Sequence, residues 1–341
     1  MSTYIIMFIL LLFLLFELCY KIKWNDSEDH FFDLQNSTAM RGFWCLIIVL
    51  VHTPTPYQNT IQDMIGSFAY VGVTYFFLTS AYGLSLTNSK KKYNIMLWKN
   101  RFIKLLIPCF IVNIISVFST ALLLHNPINI PNIFKINQWV IWLIIAYIFW
   151  IMSHQCNLSK YSNHLTCLLI IVFSLTIYIL QKSNHYHYNS WAPEIYGFIW
   201  GILLFVLFNK FKSYFKTNWF TKNIILGLVS LILGVTYLKT KYIFFFGGYF
   251  IKIILGLSIL LFMLALNTKL SIENKITLFL GKISYEIYLI HGFIFTLVSR
   301  IFKSIESGFY LLLSIIITVL LSIIVNYISK KIINILCSSN K

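Results

Sequence analysis

The stretch RGFWCLIIVLVH, residues 41–52, places an almost wholly apolar run between an arginine and a histidine. Its composition is typical of a membrane-spanning helix. From Arg41 to His52 such a helix rises about 16 Å and completes about three turns, so both side chains share one face. Arg41 would lie near one membrane surface and His52 past the middle of the apolar layer. Because ionisable groups are costly in hydrocarbon, both are candidate functional residues.

The rest of the chain is similarly apolar. Of its 341 residues 59% are hydrophobic and only 11% are charged, and the mean hydropathy of +0.79 exceeds that of a soluble domain. Breaking the chain at polar clusters predicts an all-α fold: a polytopic integral membrane helical bundle of about 11 transmembrane helices. The predicted spans are 3–20, 40–53, 66–86, 102–124, 138–153, 163–180, 193–208, 223–238, 242–266, 277–299 and 308–329.

The net charge of +17 is concentrated in short loops between the predicted spans. This pattern predicts orientation in a membrane and does not indicate a nucleic-acid partner. We expect the N-terminus outside the cell and the C-terminus in the cytoplasm. The loops placed on the cytoplasmic side are 21–39, 87–101, 154–162, 209–222 and 267–276.

The spacing of Arg41 and His52 suits an elongated substrate with an anionic head and a reactive far end, such as an acyl-coenzyme A. Histidine can act as a general base near neutral pH. Arg101 and Lys104 lie three residues apart at the entrance to the fourth span, where they would hold phosphates together with Arg41. The alternative is that the three cations only anchor topology and that His52 is an interfacial histidine.

Two further polar groups lie within predicted spans. The stretch 280–293 places Tyr285, Glu286, Tyr288 and His291 in one helix, with Tyr288 and His291 on one face. They line an active site or form a buried network that locks helix packing. Glu194 begins the seventh span, where we expect a solvated glutamate at a helix N-terminus, with an acceptor entrance as the alternative.

Neither a metal site nor the common hydrolase motifs are predicted. The six cysteines form no CxxC pair, and the HYH sequence at 185–187 has no carboxylate companions. Walker, GxGxxG, GxSxG and HExxH patterns do not occur, so nucleotide hydrolysis and the common soluble hydrolase mechanisms lack support.

Five stretches occur in a fixed order over about residues 38–329. They are Arg41-Gly42 with His52, VGVTYFFLTSAYGL (71–84, including Ser80), Arg101-Lys104-Pro108, QWVIWLIIAYIFW (138–150) and GKISYEIYLIH (281–291). This ordered set resembles the acyltransferase-3 family of bacterial membrane acyltransferases, which modify carbohydrates and other surface molecules. The sequence departs from the family pattern at Thr74, Ala81, Lys104 and Glu286.

The resemblance implies a ten-helix core at 38–329, preceded by an N-terminal helix and loop at 1–37 and followed by a cytoplasmic tail at 330–341. It implies acyl transfer from cytosolic acetyl-CoA with His52 as the catalytic histidine. Arg41, Arg101 and Lys104 would bind the donor. Ser80, Tyr285, Glu286, Tyr288 and His291 are candidates for lining the active site.

These observations lead to the hypothesis of an O-acetyltransferase in the bacterial plasma membrane. Its acceptor would be a hydroxyl of a cell-surface or capsular polysaccharide, or of its lipid-linked precursor. His52 would act as the base or carry the acyl group transiently. The alternative is a membrane polysaccharide exporter without acyl transfer, in which intramembrane His and Glu line a path. A glycan polymerase fits less well because the predicted external loops are short.

Overall fold

The computed structural model describes residues 2–24, 31–58, 60–90, 95–155, 161–183, 192–302 and 305–338. His185 and His187 of the HYH sequence lie outside these residues. The described chain is almost entirely helical. Its helices are α1 (Ser2–Cys19), α2 (Leu34–Val51), α3 (Thr60–Gly66), α4 (Tyr70–Lys90), α5 (Ile95–Leu124), α6 (Gln138–Gln155), α7 (Ser162–Ser183), α8 (Tyr196–Val206), α9 (Phe208–Lys216), α10 (Trp219–Thr240), α11 (Lys252–Asn267), α12 (Lys275–Lys282), α13 (Ser284–Ile301) and α14 (Ser307–Ser338).

Short elements join some of these helices. Single turns of 3₁₀ helix occupy Thr55–Tyr57 and Ile130–Phe134, and a π-helical turn at Phe246–Ile251 leads into α11. Two-residue strands β1 (Lys23–Trp24) and β2 (Leu270–Ser271) pair antiparallel, with Lys23 opposite Ser271. The pairing joins the predicted loops 21–39 and 267–276, so both lie at the same end of the bundle, as one shared membrane side requires.

The all-α polytopic membrane fold is confirmed. Among the described residues eight helices are long and apolar enough to cross a membrane, or ten when each of two bent pairs counts as one span. The apolar part of α1, Phe8–Cys19, is shorter, and the count of eleven stays a prediction. Most of α2 and α4 is buried, whereas α7 and α10 are largely exposed. The centre of the bundle is therefore built on α2 and α4.

Helix α2 begins six residues earlier than predicted. Asp33 caps it, accepting a hydrogen bond from the backbone N–H of Asn36 at 2.7 Å. Arg41 therefore lies two turns inside the helix and not at its entrance, which corrects the predicted start at 40. His52 ends the helix, and its backbone N–H donates to the carbonyl groups of Ile48 and Val49.

The predicted span 277–299 is broken into two helices. Helices α12 and α13 meet at Ile283 with a bend of 69°. The side chain of Ser284 donates to the carbonyl of Gly281 at 2.9 Å and so satisfies a backbone group at the break. At the start of α12 the side chain of Asn274 accepts from the N–H groups of Ile276 and Thr277.

Two short helices, α3 and α9, lie mostly within predicted loops. The span predicted at 193–208 continues after an 80° bend as α9, within the region predicted as the loop 209–222. This short helix carries lysines among Phe208, Phe211 and Phe215, and Phe215 is buried. Helix α3 occupies part of the predicted external loop 53–65, and residues 330–338 of the predicted tail continue α14.

A close crossing of α2 and α12 predicts a steric effect at Gly281. A Cβ atom there would collide with the backbone carbonyl of Thr38 in α2. We expect Gly281→Ala to lower stability by about 1–3 kcal/mol through overpacking, measured by thermal unfolding of the purified protein in detergent. Gly292→Ala is the matched control, because nothing lies within 4 Å of a Cβ at that position. Equal melting temperatures for the two variants would contradict the close crossing.

Candidate active site

Two histidines that are far apart in the sequence lie in contact. The ring centroids of His52, at the end of α2, and His291, in α13, are 4.9 Å apart in an edge-to-face arrangement. Tyr288 lies one turn before His291, with ring centroids 5.6 Å apart. The first and last of the five motif stretches therefore meet at one point. We call His52, His291 and Tyr288 the histidine cluster.

Backbone hydrogen bonds orient both imidazole rings. Nδ1 of His52 lies 2.7 Å from the carbonyl oxygen of Ile48, and Nδ1 of His291 lies 3.2 Å from that of Ile287. A carbonyl can only accept, so these contacts assign the proton to Nδ1 in each ring. In the neutral ring Nε2 then carries the lone pair. This is the nitrogen available to take a proton from another molecule.

His52 opens onto a cavity, whereas His291 is buried. The cavity has a volume of about 580 Å³ and is lined by parts of α2, α3, α4, α7, α10 and α11 and the segments next to them. His52 is exposed to it, and His291 is 6% exposed. A volume of this size is in the range of small-molecule sites. His52 is therefore the member of the histidine cluster that a bound molecule can reach.

Trp139 joins three of the motif stretches beside this cluster. Its ring centroid lies 5.1 Å from that of Tyr288 and 5.9 Å from that of Tyr285. Phe77, in α4, contacts its other side at 5.8 Å. The resulting aromatic wall holds α4, α6 and α13 together behind the cluster.

Arg41 lies near the middle of α2, about three turns before His52. One of its terminal nitrogens donates to the hydroxyl of Thr38 at 3.1 Å, while its buried Nε has no hydrogen-bond partner among the described residues. Glu286 and Tyr75 are close enough to interact with it electrostatically. The guanidinium therefore keeps at least one donor, Nε, that no described residue uses.

The other predicted donor-binding residues lie on α5. Arg101 donates to the backbone carbonyl of Gly83 and to the hydroxyl of Thr87, each at 3.1 Å. These bonds hold the start of α5 against the last turns of α4. Lys104 is exposed. The structure thus gives Arg101 a packing role in addition to any part in binding.

Three predicted lining residues lie away from the histidine cluster. Tyr285 donates its hydroxyl to the carbonyl of Leu105 in α5 at 2.6 Å. Glu286 accepts from the amide of Asn326 in α14 at 2.9 Å. Ser80 is partly exposed within α4. The motif around residue 285 therefore divides between the cluster and the packing of neighbouring helices.

Glu194 corrects an expectation from the sequence. It is 3% exposed, and Oε1 accepts a 2.6 Å bond from Nζ of Lys252, so it is not a solvated helix-terminal residue. Both residues line the cavity onto which His52 opens. In the sequence this ion pair is indicated only by Lys252, which lies within an apolar run 58 residues after Glu194.

The described residues contain no group of three or more His, Cys, Asp or Glu that could hold a metal ion. Residues 34–327 match the family model of the acyltransferase-3 type, described as an acyltransferase domain. Neither a curated protein nor a solved structure matches the chain significantly.

The contrast between the two clustered histidines predicts their reactivity. We expect diethylpyrocarbonate to modify His52 at least several times faster than His291, because only His52 is exposed to the cavity. Mass spectrometry of the native protein in detergent measures both rates. The exposed His164 serves as the internal reference. Equal modification of His291 and His164 would contradict the structure.

Proposed function

Because the chain belongs to the acyltransferase-3 family and is a membrane acyltransferase, we propose that it transfers an acetyl group from cytosolic acetyl-CoA to a hydroxyl group of a glycan. The acceptor is a cell-surface or capsular polysaccharide, or its lipid-linked precursor, at a bacterial plasma membrane. The observation that carries the proposal is His52, whose unprotonated Nε2 belongs to a side chain open to the cavity.

In the proposed reaction His52 is the general base. Nε2 takes the proton of the acceptor hydroxyl while the hydroxyl oxygen attacks the thioester carbonyl carbon. The tetrahedral intermediate collapses with cleavage of the carbon–sulfur bond, and the imidazolium returns the proton to the leaving thiolate. The products are the O-acetyl ester and free coenzyme A. The bond from Nδ1 to Ile48 holds the ring throughout and supports the imidazolium.

The donor would approach from the N-terminal end of α2 and reach inward to Arg41, two turns inside the helix. The Nε of Arg41 has no hydrogen-bond partner among the described residues, and a planar guanidinium can bind phosphate oxygens in a bidentate arrangement. Arg101 and Lys104 would add positive charge at the same end. With N-terminus outside and C-terminus inside, this end faces the cytosol, where acetyl-CoA is present. The acceptor would then enter the cavity from the other side.

The family match favours acyl transfer over the exporter alternative. Reconstituted protein incubated with labelled acetyl-CoA and candidate glycans tests the choice directly. An acetyltransferase consumes acetyl-CoA and labels the glycan. An exporter moves the glycan across the vesicle membrane without consuming acetyl-CoA, and this result would refute the proposal.

Removing the proposed base should slow acetyl transfer strongly while the protein stays folded. We expect His52→Ala to lower the rate of acetyl transfer by about a hundredfold to ten-thousandfold, the range for loss of a general base. His154→Ala is the matched control, since His154 makes the same Nδ1 contact to a carbonyl four residues earlier but does not line the cavity. Transfer that persists in folded His52→Ala protein would exclude this mechanism.

Replacing the forked cation should weaken donor binding more than chemistry. We expect Arg41→Lys to raise KM for acetyl-CoA about tenfold or more with a smaller change in kcat, because lysine keeps the charge and loses bidentate geometry. Lys99→Gln, at an exposed position on the neighbouring α5, is the control for a general loss of positive charge. Unchanged KM in Arg41→Lys would remove Arg41 from the donor site.

A further inference from the structure

A buried ion pair forms part of the cavity wall. Lys252, at the start of α11, donates to Glu194 Oε1 at 2.6 Å and lies 4.8 Å from the ring centroid of Tyr70. The Tyr70 hydroxyl donates to the backbone carbonyl of Lys252 at 2.9 Å. The lysine is thus held from two directions. All three residues line the cavity that contains His52.

The second oxygen of this carboxylate is unused. Glu194 is 3% exposed, and its Oε2 has no hydrogen-bond partner among the described residues. A buried carboxylate oxygen without a donor is unfavourable, so a donor supplied by a bound molecule would be stabilising. Carboxylate oxygens only accept hydrogen bonds. The missing group is therefore an O–H or N–H.

The charges of the cavity cancel. Its described lining contains two lysines and two acidic residues, and each lysine faces an acid. Lys252 pairs with Glu194, and Lys241 lies 4.0 Å from Asp63 at the rim, where the Asp63 side chain is 69% exposed. An anionic ligand would find no unpaired lysine along this part of the wall. A cationic ligand would have to compete with Lys252 for Glu194.

The remaining lining is aromatic and amide. Rings are supplied by Tyr70, Tyr178, Tyr237, Tyr242 and Phe244, and amide side chains by Gln58, Gln62 and Gln181. Aromatic faces offer apolar surface to the C–H faces of a sugar ring, and amides can donate to or accept from hydroxyl groups. This combination fits an uncharged molecule that carries many hydroxyls.

We propose that the cavity binds an uncharged glycosyl residue of the acceptor, with Glu194 Oε2 accepting a hydrogen bond from one sugar hydroxyl while another hydroxyl meets His52. Glu194 is thereby a specificity-determining residue. The inference rests on the proposed function, because the same cavity delivers the hydroxyl to the base. It adds that sugars bearing a carboxylate or an ammonium group at this position are rejected.

The test uses binding without turnover. The full-length His52→Ala protein in detergent is titrated by calorimetry with three oligosaccharide pools built on galactose, galacturonic acid and galactosamine. We expect the galactose pool to bind at least about tenfold more tightly than either charged pool, because galacturonate meets no unpaired lysine in the cavity and galactosamine must compete with Lys252 for Glu194. Equal affinity for all three pools, tighter binding of a charged pool or no binding of any would overturn the inference.

A charge change at Glu194 makes the test sharper. Glu194→Gln keeps the shape and leaves Lys252 as an unpaired cation, so the preference should move toward galacturonate by about tenfold or more. Glu194→Gln combined with Lys252→Met removes both charges and should return the preference to the uncharged pool. Glu306→Gln removes an exposed carboxylate that does not line the cavity, so it is the control and should leave the preference almost unchanged.

Destabilisation of a variant must be distinguished from a change in its sugar preference. Loss of one partner of a buried pair can destabilise the protein, so each variant is first compared by thermal unfolding, and the double variant supplies an uncharged replacement if the single variant is unstable. Acetyl transfer is measured separately with the unsubstituted protein. Transfer to galacturonate would leave the acetyltransferase standing and refute the cavity assignment. Selective binding of the galactose pool without transfer from acetyl-CoA would support the cavity assignment and refute the acetyltransferase.

Discussion

The backbone contact between α2 and α12 is the constraint on which the candidate site depends. A Cβ on Gly42 would collide with the carbonyl of Thr277, and one on Gly281 with that of Thr38. Small residues let helices approach closely where apolar side chains gain nothing by leaving lipid. The chain bends directly after Gly281 and continues as α13. The close approach and the bend together bring His291 into contact with His52. Gly42 and Gly281, both in the motif stretches, therefore contribute to the site by letting the two helices approach.

Polar groups in this bundle must find hydrogen-bond partners within the protein or a ligand, because lipid supplies none. Asn326 donates to one oxygen of Glu286, the Leu105 carbonyl accepts from Tyr285, and Lys252 pairs with one oxygen of Glu194. Several buried polar atoms have no hydrogen-bond partner among the described residues, and two of them belong to residues of the proposed binding sites, Nε of Arg41 and Oε2 of Glu194. In the proposed reaction Nε of Arg41 would donate to a phosphate of the acyl donor, and Oε2 of Glu194 would accept from a hydroxyl of the acceptor. Bound substrates would then supply the hydrogen bonds that these two atoms lack.

Much of the architecture could be predicted because long apolar runs in water-free surroundings have few alternatives to helix. Hydropathy does not report helix starts made of polar residues, so the capped turn from Asp33 to Arg41 was missed. Nor does hydropathy report the bend at Ile283, because α12 and α13 taken together have the hydropathy of a single span. The resemblance implies that His52 and His291 belong to one site, but it does not predict contact between their rings. The Glu194–Lys252 pair depends on a fold that brings α8 and α11 together, which periodicity along one helix cannot show.

The arrangement of α2 would also keep the two proposed substrates apart. The cavity includes His52 but not Arg41, and between these residues the helix is packed against α4, α12 and α13. A molecule bound at the cavity therefore reaches the base from one end of the helix, and a donor held by Arg41 must reach it from the other. In the proposed reaction an acetyl group passed between them would change sides without any carrier moving across the bilayer. His52 would then be both the proposed general base and the point at which the two proposed binding sites meet.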